Sequence, residues 1–132
     1  MPNHLVRDWM THKVLTVPPD TSLTTADVTM EARRLRRLLV VEGGRLAGIV
    51  SEGDLKVALA LYNAGGTGRE PVVADIMTPD PITITGNYTI ALAAQTMLSA
   101  RIGGLPVVDD EGRLIGVLSE SDIFRFVIES AR

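Results

Sequence analysis

Two short segments carry the residue types best placed to do chemistry. They are Gly48-Ile-Val-Ser51-Glu-Gly-Asp54 and Gly116-Val-Leu-Ser119-Glu-Ser-Asp122. In each, a serine precedes a carboxylate by three residues, where a β-rich apolar run gives way to a helix-like one. This spacing has a structural reading. Ser-x-x-Asp ahead of an apolar run is close to a capping box, and any duplicated helix start would repeat its cap. It also has a functional reading. A helix N-terminus offers free N–H groups and partial positive charge, which suit phosphate. The serine hydroxyl adds a donor, and a nearby carboxylate can accept two hydrogen bonds from vicinal ribose hydroxyls. Capping and nucleotide binding are compatible, and spacing alone leaves both open.

Other chemistries find little support. The chain has no cysteine, which excludes disulfides, thiolate metal sites and cysteine nucleophiles. His4 and His12 lack a third ligand at metal spacing, so no metal site is expected. No Ser/His/Asp constellation can be assembled from two early histidines, so no catalysis is expected. Glu52 and Glu120 fall in first helical turns, where they favour the helix dipole. Arg33-Arg34-Leu35-Arg36-Arg37 is the one basic cluster. It reads as a solvated helix end, as a phosphate contact, or as a nucleic-acid contact. The net charge of −3 and the 4% aromatic content count against the last.

The elements that must position the two motifs come from a duplication. The 132 residues suit one domain or a compact tandem pair. With 45% hydrophobic and 22% charged residues the chain has an ordinary globular balance, which excludes wholesale disorder. No apolar run approaches the roughly 18–20 residues of a membrane span, and no secretory signal opens the chain, so a cytoplasmic protein without membrane contact is expected. Asp8-Trp-Met-Thr11 aligns with Asp75-Ile-Met-Thr78, Leu38, Val40 and Val41 with Leu105, Val107 and Val108, and Ser51 and Asp54 with Ser119 and Asp122. The matches are collinear with one insertion near Glu111, so the chain is two copies of one unit.

Each copy reads as β-α-β-β-α. A short strand near 14–17 (82–85 in the second copy) leads to Thr/Asp/Asn-rich turn residues that make good N-caps. A helix follows over about 22–35 (89–101). Two β-rich runs, 38–42 and 45–50 (105–109 and 113–118), flank a Gly-containing turn and predict a hairpin. A last helix covers about 52–62 (120–130). The organisation is repeat 1 over residues 1–62, a glycine-rich linker over 63–71, and repeat 2 over 72–132. One unit is too small to hide both helices, so the expected fold is α+β, with two repeats packed sheet to sheet about a pseudo-two-fold axis. The segment Tyr88–Ala100 is apolar on nearly all sides. It is expected to bury a second face inside the module or to form a homodimer interface. Trp9, Phe124 and Phe126 are expected to pack as core or interface residues.

Asp-x-Met-Thr, Ile102-Gly-Gly-Leu-Pro-Val-Val-Asp109 and Gly-x-x-Ser-x-x-Asp together carry a resemblance. The chain, over about residues 5–130, resembles a tandem pair of cystathionine-β-synthase (CBS) domains, a Bateman module of the stand-alone or acetoin-utilisation type. The resemblance implies a regulatory sensor that binds AMP, ADP, ATP or S-adenosylmethionine in the cleft between repeats, at two pseudo-symmetric sites. One would use Ser119, Ser121 and Asp122 on phosphate and ribose, with Val117, Thr11, Leu15 and Leu35 around the base. The other would use Ser51 and Asp54, with Thr78, Ile82, Ile102 and Gly103. No cofactor is implied beyond the ligand, which Mg²⁺ can accompany if it is a polyphosphate.

The copies depart from one another. Leu35-Arg36-Arg37-Leu38-Leu39 stands where repeat 2 has Ile102-Gly103-Gly104-Leu105-Pro106, and Gly53 stands where repeat 2 has Ser121. The two sites are therefore expected to be inequivalent. Arg36 is expected at the Asp122 site, as a phosphate clamp, a solvent-exposed side chain or a block. The expected partners are an adenosyl ligand, a second copy of the chain and a regulated protein. The alternatives are a ligand-free dimerisation or scaffold module, or nucleic-acid binding through Arg33–Arg37.

Overall fold

A computed structural model describes residues 4–66 and 68–132. The chain divides into two compact units: Leu15–Pro81, and residues 4–14 together with Ile82–Arg132. Both are α+β, and each repeat runs β-α-β-β-α.

In the unit Leu15–Pro81 the order is β1 (Thr16–Val17), α1 (Leu23–Arg33), β2 (Arg37–Glu42), β3 (Arg45–Ser51), α2 (Glu52–Gly65), α3 (Val73–Ile76) and β4 (Thr78–Pro79). The strands form one sheet in the order β1-β2-β3-β4. β1 runs parallel to β2, while β2–β3 and β3–β4 are antiparallel. Gly43 and Gly44 close the β2–β3 hairpin with φ of 60° and 81°. Two consecutive positive φ values are what a two-residue type I′ turn requires, and glycine adopts them without steric cost. The core gathers Val17, Leu23, Ala26, Met30, Leu38, Val40, Val50, Leu55 and Val73. The buried members of β2 and β3 come from the apolar runs of the sequence, and those of α1 follow its 3–4 residue spacing.

The second unit repeats the plan with β5 (Ile84–Thr85), α4 (Ile90–Ala100), β6 (Gly104–Val108), β7 (Leu114–Ser119) and α5 (Glu120–Ser130). Its sheet order is β5-β6-β7. In place of a fourth strand, Thr11 makes a bridge to Val117 in β7. The β6–β7 turn is one residue longer than its counterpart. Asp109 Oδ1 accepts from the N–H groups of Glu111 and Arg113, and Gly112 supplies a φ of 82°. The core here is Val6, Met10, Ile84, Ile90, Ala93, Met97, Leu105, Val107 and Leu118. Trp9 packs edge-on against Phe126, ring centroids 5.6 Å apart, and both flank this core, whereas Phe124 is exposed.

Each of the four long helices starts on a hydroxyl cap. Ser22, Ser51, Thr89 and Ser119 accept from the N–H three residues on, satisfying one of the orphan donors of the first turn. α2 extends through Asn63, Ala64 and Gly65, residues the sequence reading gave to the linker. The N–H of Gly66 still closes on the Tyr62 carbonyl at 2.7 Å, so helical bonding carries the chain past the expected stop. α4 buries Ile90, Ala93 and Met97 on one face only, and Leu92 and Leu98 are 45% and 80% exposed. The expected second buried face of α4 is therefore not found: the turn-by-turn side-chain direction leaves these two leucines off the sheet-facing stripe. Among the described residues, no helix is long and apolar enough to cross a membrane.

Unit boundaries cut across the sequence repeats. The Asp-x-Met-Thr segment of repeat 1 belongs to the unit that holds repeat 2's sheet, and that of repeat 2 closes the sheet of repeat 1. Glycine makes this possible. A Cβ on Gly48 would sit 2.5 Å from Met77 Sδ and 2.9 Å from the Thr78 carbonyl. A Cβ on Gly116 would sit 2.8 Å from the Thr11 carbonyl and 3.0 Å from Met10 Sδ. The matched methionines and glycines of the two copies are therefore packing partners, each methionine lying on the glycine of the opposite repeat.

Candidate functional site

Each Ser-x-x-Asp motif sits at a strand-to-helix turn, as its spacing predicts. Its serine ends the second strand of the hairpin and caps the following helix, and the Asp-x-Met-Thr segment of the other repeat lies beside that strand.

In the unit Leu15–Pro81, Ser51 ends β3 and caps α2 through a hydrogen bond from Asp54 N–H to Ser51 Oγ of 3.1 Å. The Asp54 side chain is exposed, and among the described residues no group donates to its carboxylate. Thr78 pairs with Ile49 on the β4 edge, two residues before Ser51. Glu52 N–H donates to the Arg36 carbonyl at 2.8 Å, which ties the start of α2 to the residue that precedes β2. The Arg36 side chain is exposed; Leu15 and Leu35 are half-buried against the core of this unit. Ser51, Asp54, Thr78, Leu15, Leu35 and Arg36 thus belong to one unit.

In the second unit, Ser119 ends β7 and caps α5. Here the capping box is complete. Ser119 Oγ accepts from Asp122 N–H at 3.4 Å, and Asp122 Oδ2 accepts from the Ser119 N–H at 2.8 Å and from its hydroxyl at 3.1 Å. Arg125 donates to Asp122 Oδ1, and among the described residues Asp122 is the one buried charged residue, 3% exposed. The sequence reading did not single out Arg125. Its signal was the difference between copies: the same helical position holds Val57 in the first.

Thr11 and Val117 exchange backbone hydrogen bonds of 2.9 and 3.0 Å, on the edge of β7 beside Ser119. Ser121 is exposed. Glu120 N–H donates to the Gly103 carbonyl at 3.2 Å, repeating the Glu52–Arg36 contact. A Cβ on Gly103 would meet Glu120 Oε1 at 2.6 Å, so the Glu120 side chain lies over this glycine. Ile102 is half-buried against the core and Ile82 is 51% exposed. Thr11, Val117, Ser119, Ser121, Asp122, Ile82, Ile102 and Gly103 therefore belong to this unit. Of the residues assigned by resemblance to the Asp122 site, Leu15, Leu35 and Arg36 belong to the other unit. Of those assigned to the Asp54 site, Ile82, Ile102 and Gly103 do.

What each turn can do chemically differs. The Ser51 turn presents a capped helix start, an exposed threonine edge and a carboxylate with both oxygens open. A pair of vicinal hydroxyls could donate to that carboxylate without displacing a protein donor. The Ser119 turn presents the same backbone, but its carboxylate is engaged on both oxygens.

Comparison with known proteins gives concordant relationships. Residues 6–61 and 73–129 match the CBS domain family. A CBS domain-containing protein of Dictyostelium discoideum is 32% identical over 133 residues, covering 95% of this chain and 92% of that protein. Four further curated relatives are longer, and the chain spans 24%, 46%, 34% and 22% of their lengths. Three of these are enzymes by name. Among solved structures, CBSX2 of Arabidopsis thaliana in complex with AMP superposes with a TM-score of 0.85 at 29% identity, covering 98% of this chain and 100% of that one. The CBS domain pair of protein MJ0100, in complex with 5′-methylthioadenosine and S-adenosyl-L-methionine, gives a TM-score of 0.80 at 28% identity, with 98% and 99% coverage.

Proposed function

Since the chain belongs to the CBS domain family, we propose that it is a regulatory module that binds an adenosine-containing ligand and has no catalysis of its own. The observation that carries this reading is the Ser51 turn. A capped helix start stands next to an exposed carboxylate that accepts from none of the described residues. Asp54 accepts the two ribose hydroxyls, while the Ser51 hydroxyl and the Gly53 N–H at the start of α2 face the phosphate or its substitute. The AMP bound to CBSX2 and the two adenosyl compounds bound to MJ0100 support the ligand class. The ligand acts as a regulator only through its differential affinity for alternative arrangements of the protein, which a partner protein then reads.

Thermal unfolding with AMP, ADP, ATP, S-adenosylmethionine and GTP, with and without Mg²⁺, tests the reading. A ligand at about 100 times its Kd adds roughly 2.7 kcal/mol, worth several degrees in a chain of this size. The shift is expected with at least one adenosyl compound and not with GTP. It is expected to be lost with the 2′-deoxy analogue of that compound and in Asp54→Ala. No shift with any compound at millimolar concentration would overturn the sensor reading.

One observation favours a second reading, a ligand-independent dimerisation module. Phe124, Val127 and Ile128 are 60%, 54% and 55% exposed on one face of α5. Sedimentation with and without ligand separates the two readings. A ligand-insensitive dimer that Val127→Asp dissociates, with no thermal shift by any nucleotide, would favour the second.

A further inference from the structure

The two Ser-x-x-Asp motifs differ one helical turn beyond the carboxylate, where the first copy has Val57 and the second Arg125. The Arg125 guanidinium donates through Nη2 to Asp122 Oδ1 and, at 3.4 Å, to the Trp9 carbonyl oxygen. The Ser119 N–H and hydroxyl occupy Oδ2. Three donors thus occupy three of the about four acceptor positions of this carboxylate, with both oxygens engaged. The Asp122 side chain is only 4% exposed beneath them. A vicinal diol needs two acceptor positions that face it together. Asp54 offers them: its carboxylate is exposed, accepts from no described residue, and has at Val57 a neighbour that cannot donate. The resemblance treats the two aspartates as equivalent ribose acceptors, but their hydrogen bonding does not.

Resting on the adenosyl-binding reading above, we propose that Arg125 is a specificity-determining latch that keeps Asp122 from ribose, so that the chain takes up one adenosyl ligand, at Asp54. The latch is separable from the fold. Arg125 is 58% exposed, and its removal leaves both arms of the capping box in place. What removal changes is Oδ1, which loses its protein donor and becomes free to accept from a ligand. Conversely, an arginine at position 57 stands in the same i, i+3 relation to Asp54 as Arg125 does to Asp122, and can claim the open carboxylate.

Calorimetric titration with AMP tests this on wild type, Arg125→Ala, Arg125→Lys and Val57→Arg. The expected stoichiometries are one AMP per chain for wild type and Arg125→Lys, and two for Arg125→Ala. Arg125→Gln keeps a shorter donor without the charge and is expected to bind two, since its carboxamide N–H is uncharged and yields Oδ1 to the ribose hydroxyl. Val57→Arg is expected to weaken the single wild-type site about tenfold, since a protein cation now competes for the carboxylate. Two equivalents in wild type, or one in both Arg125→Ala and Arg125→Gln, would overturn the latch while leaving adenosyl binding intact. Unchanged affinity in Val57→Arg would overturn the assignment of the open site to Asp54. No heat with AMP in any variant, together with no thermal shift by the other adenosyl compounds, would overturn the binding reading and the latch with it.

Discussion

Asp54 and Asp122 occupy matched positions, yet removing them should cost the ligand-free protein very different amounts. In Asp122→Ala the Ser119 N–H loses its acceptor at 2.8 Å and the Ser119 hydroxyl loses its acceptor at 3.1 Å. The site is largely shielded from water, so a donor left without a partner costs about 1–3 kcal/mol. Loss of a first-turn carboxylate adds about 0.3–1 kcal/mol. The sum is about 2 kcal/mol or somewhat more. In Asp54→Ala only the dipole contribution is lost, because among the described residues no donor uses that carboxylate; the cost is about 0.3–1 kcal/mol. The difference, about 1.5 kcal/mol, corresponds to roughly 5 °C in melting temperature for a chain of this length. Circular-dichroism melts of the two variants in nucleotide-free buffer measure it directly. Asp122→Asn is a useful intermediate, since its amide oxygen can still accept from Ser119 N–H, and it should recover part of the loss. An Asp54→Ala variant that melts as low as Asp122→Ala would refute the reasoning, because it would mean that Asp54 holds a structural bond equivalent to the capping box.

Gly48→Ala and Gly116→Ala should each destabilise by about 1–3 kcal/mol, since the new methyl meets a backbone carbonyl and a methionine below normal contact distance; chemical denaturation reads this. Gly53→Ala, where a Cβ meets nothing within 4 Å, is the control, and as a helix position it should gain up to about 1 kcal/mol. Thr89→Ala removes the α4 cap, which accepts from Leu92 N–H at 3.0 Å, and should cost about 1 kcal/mol in the same assay. Lys56 bridges Asp27 and Glu31 on α1 at 3.1 and 3.2 Å. Hydrogen bonds to Asp27 and then Glu31 raise its pKa above the ordinary lysine value. A raised folded-state pKa gives a contribution that is complete below the unfolded value and fades as pH rises through the folded one. The melting-temperature gap between wild type and Lys56→Met should therefore be constant at neutral pH and narrow above pH 10.5.

The local elements were legible because each rests on local signals. Ser22, Ser51, Thr89 and Ser119 announce helix starts, and the Gly43-Gly44 pair announces a hairpin. The β-α-β-β-α order follows from these and from the duplication. What was not legible was which copy completes which sheet. Thr78–Pro79 is a two-residue strand and Thr11 a single bridge, too short for any periodicity to declare a partner. Their partners, Ile49 and Val117, lie far away in sequence. The exposure of Leu92 and Leu98 removes one of the two alternatives for α4, a second face buried inside the module; an apolar helix says that it can be covered, not by what. At the candidate site, spacing identified Ser51, Asp54, Ser119 and Asp122 but left capping and binding unresolved. The discriminating fact, that one carboxylate is engaged and the other is not, depends on a side chain one turn away and on its rotamer.

The exchange of Asp-x-Met-Thr segments has a consequence for how such a chain can be divided. Cutting at the repeat boundary, after residue 62, would give a fragment whose Met77 is missing from Gly48, beside another whose Met10 is missing from Gly116. Each fragment would hold the peg for the other's socket. Two such pieces can complete themselves only by pairing, so complementation of separately expressed halves is built into the fold. A lone repeat, before any duplication, could have closed its sheet only by borrowing this segment from a second molecule. In the joined chain the exchange is intramolecular, a tethered contact in place of a concentration-dependent association.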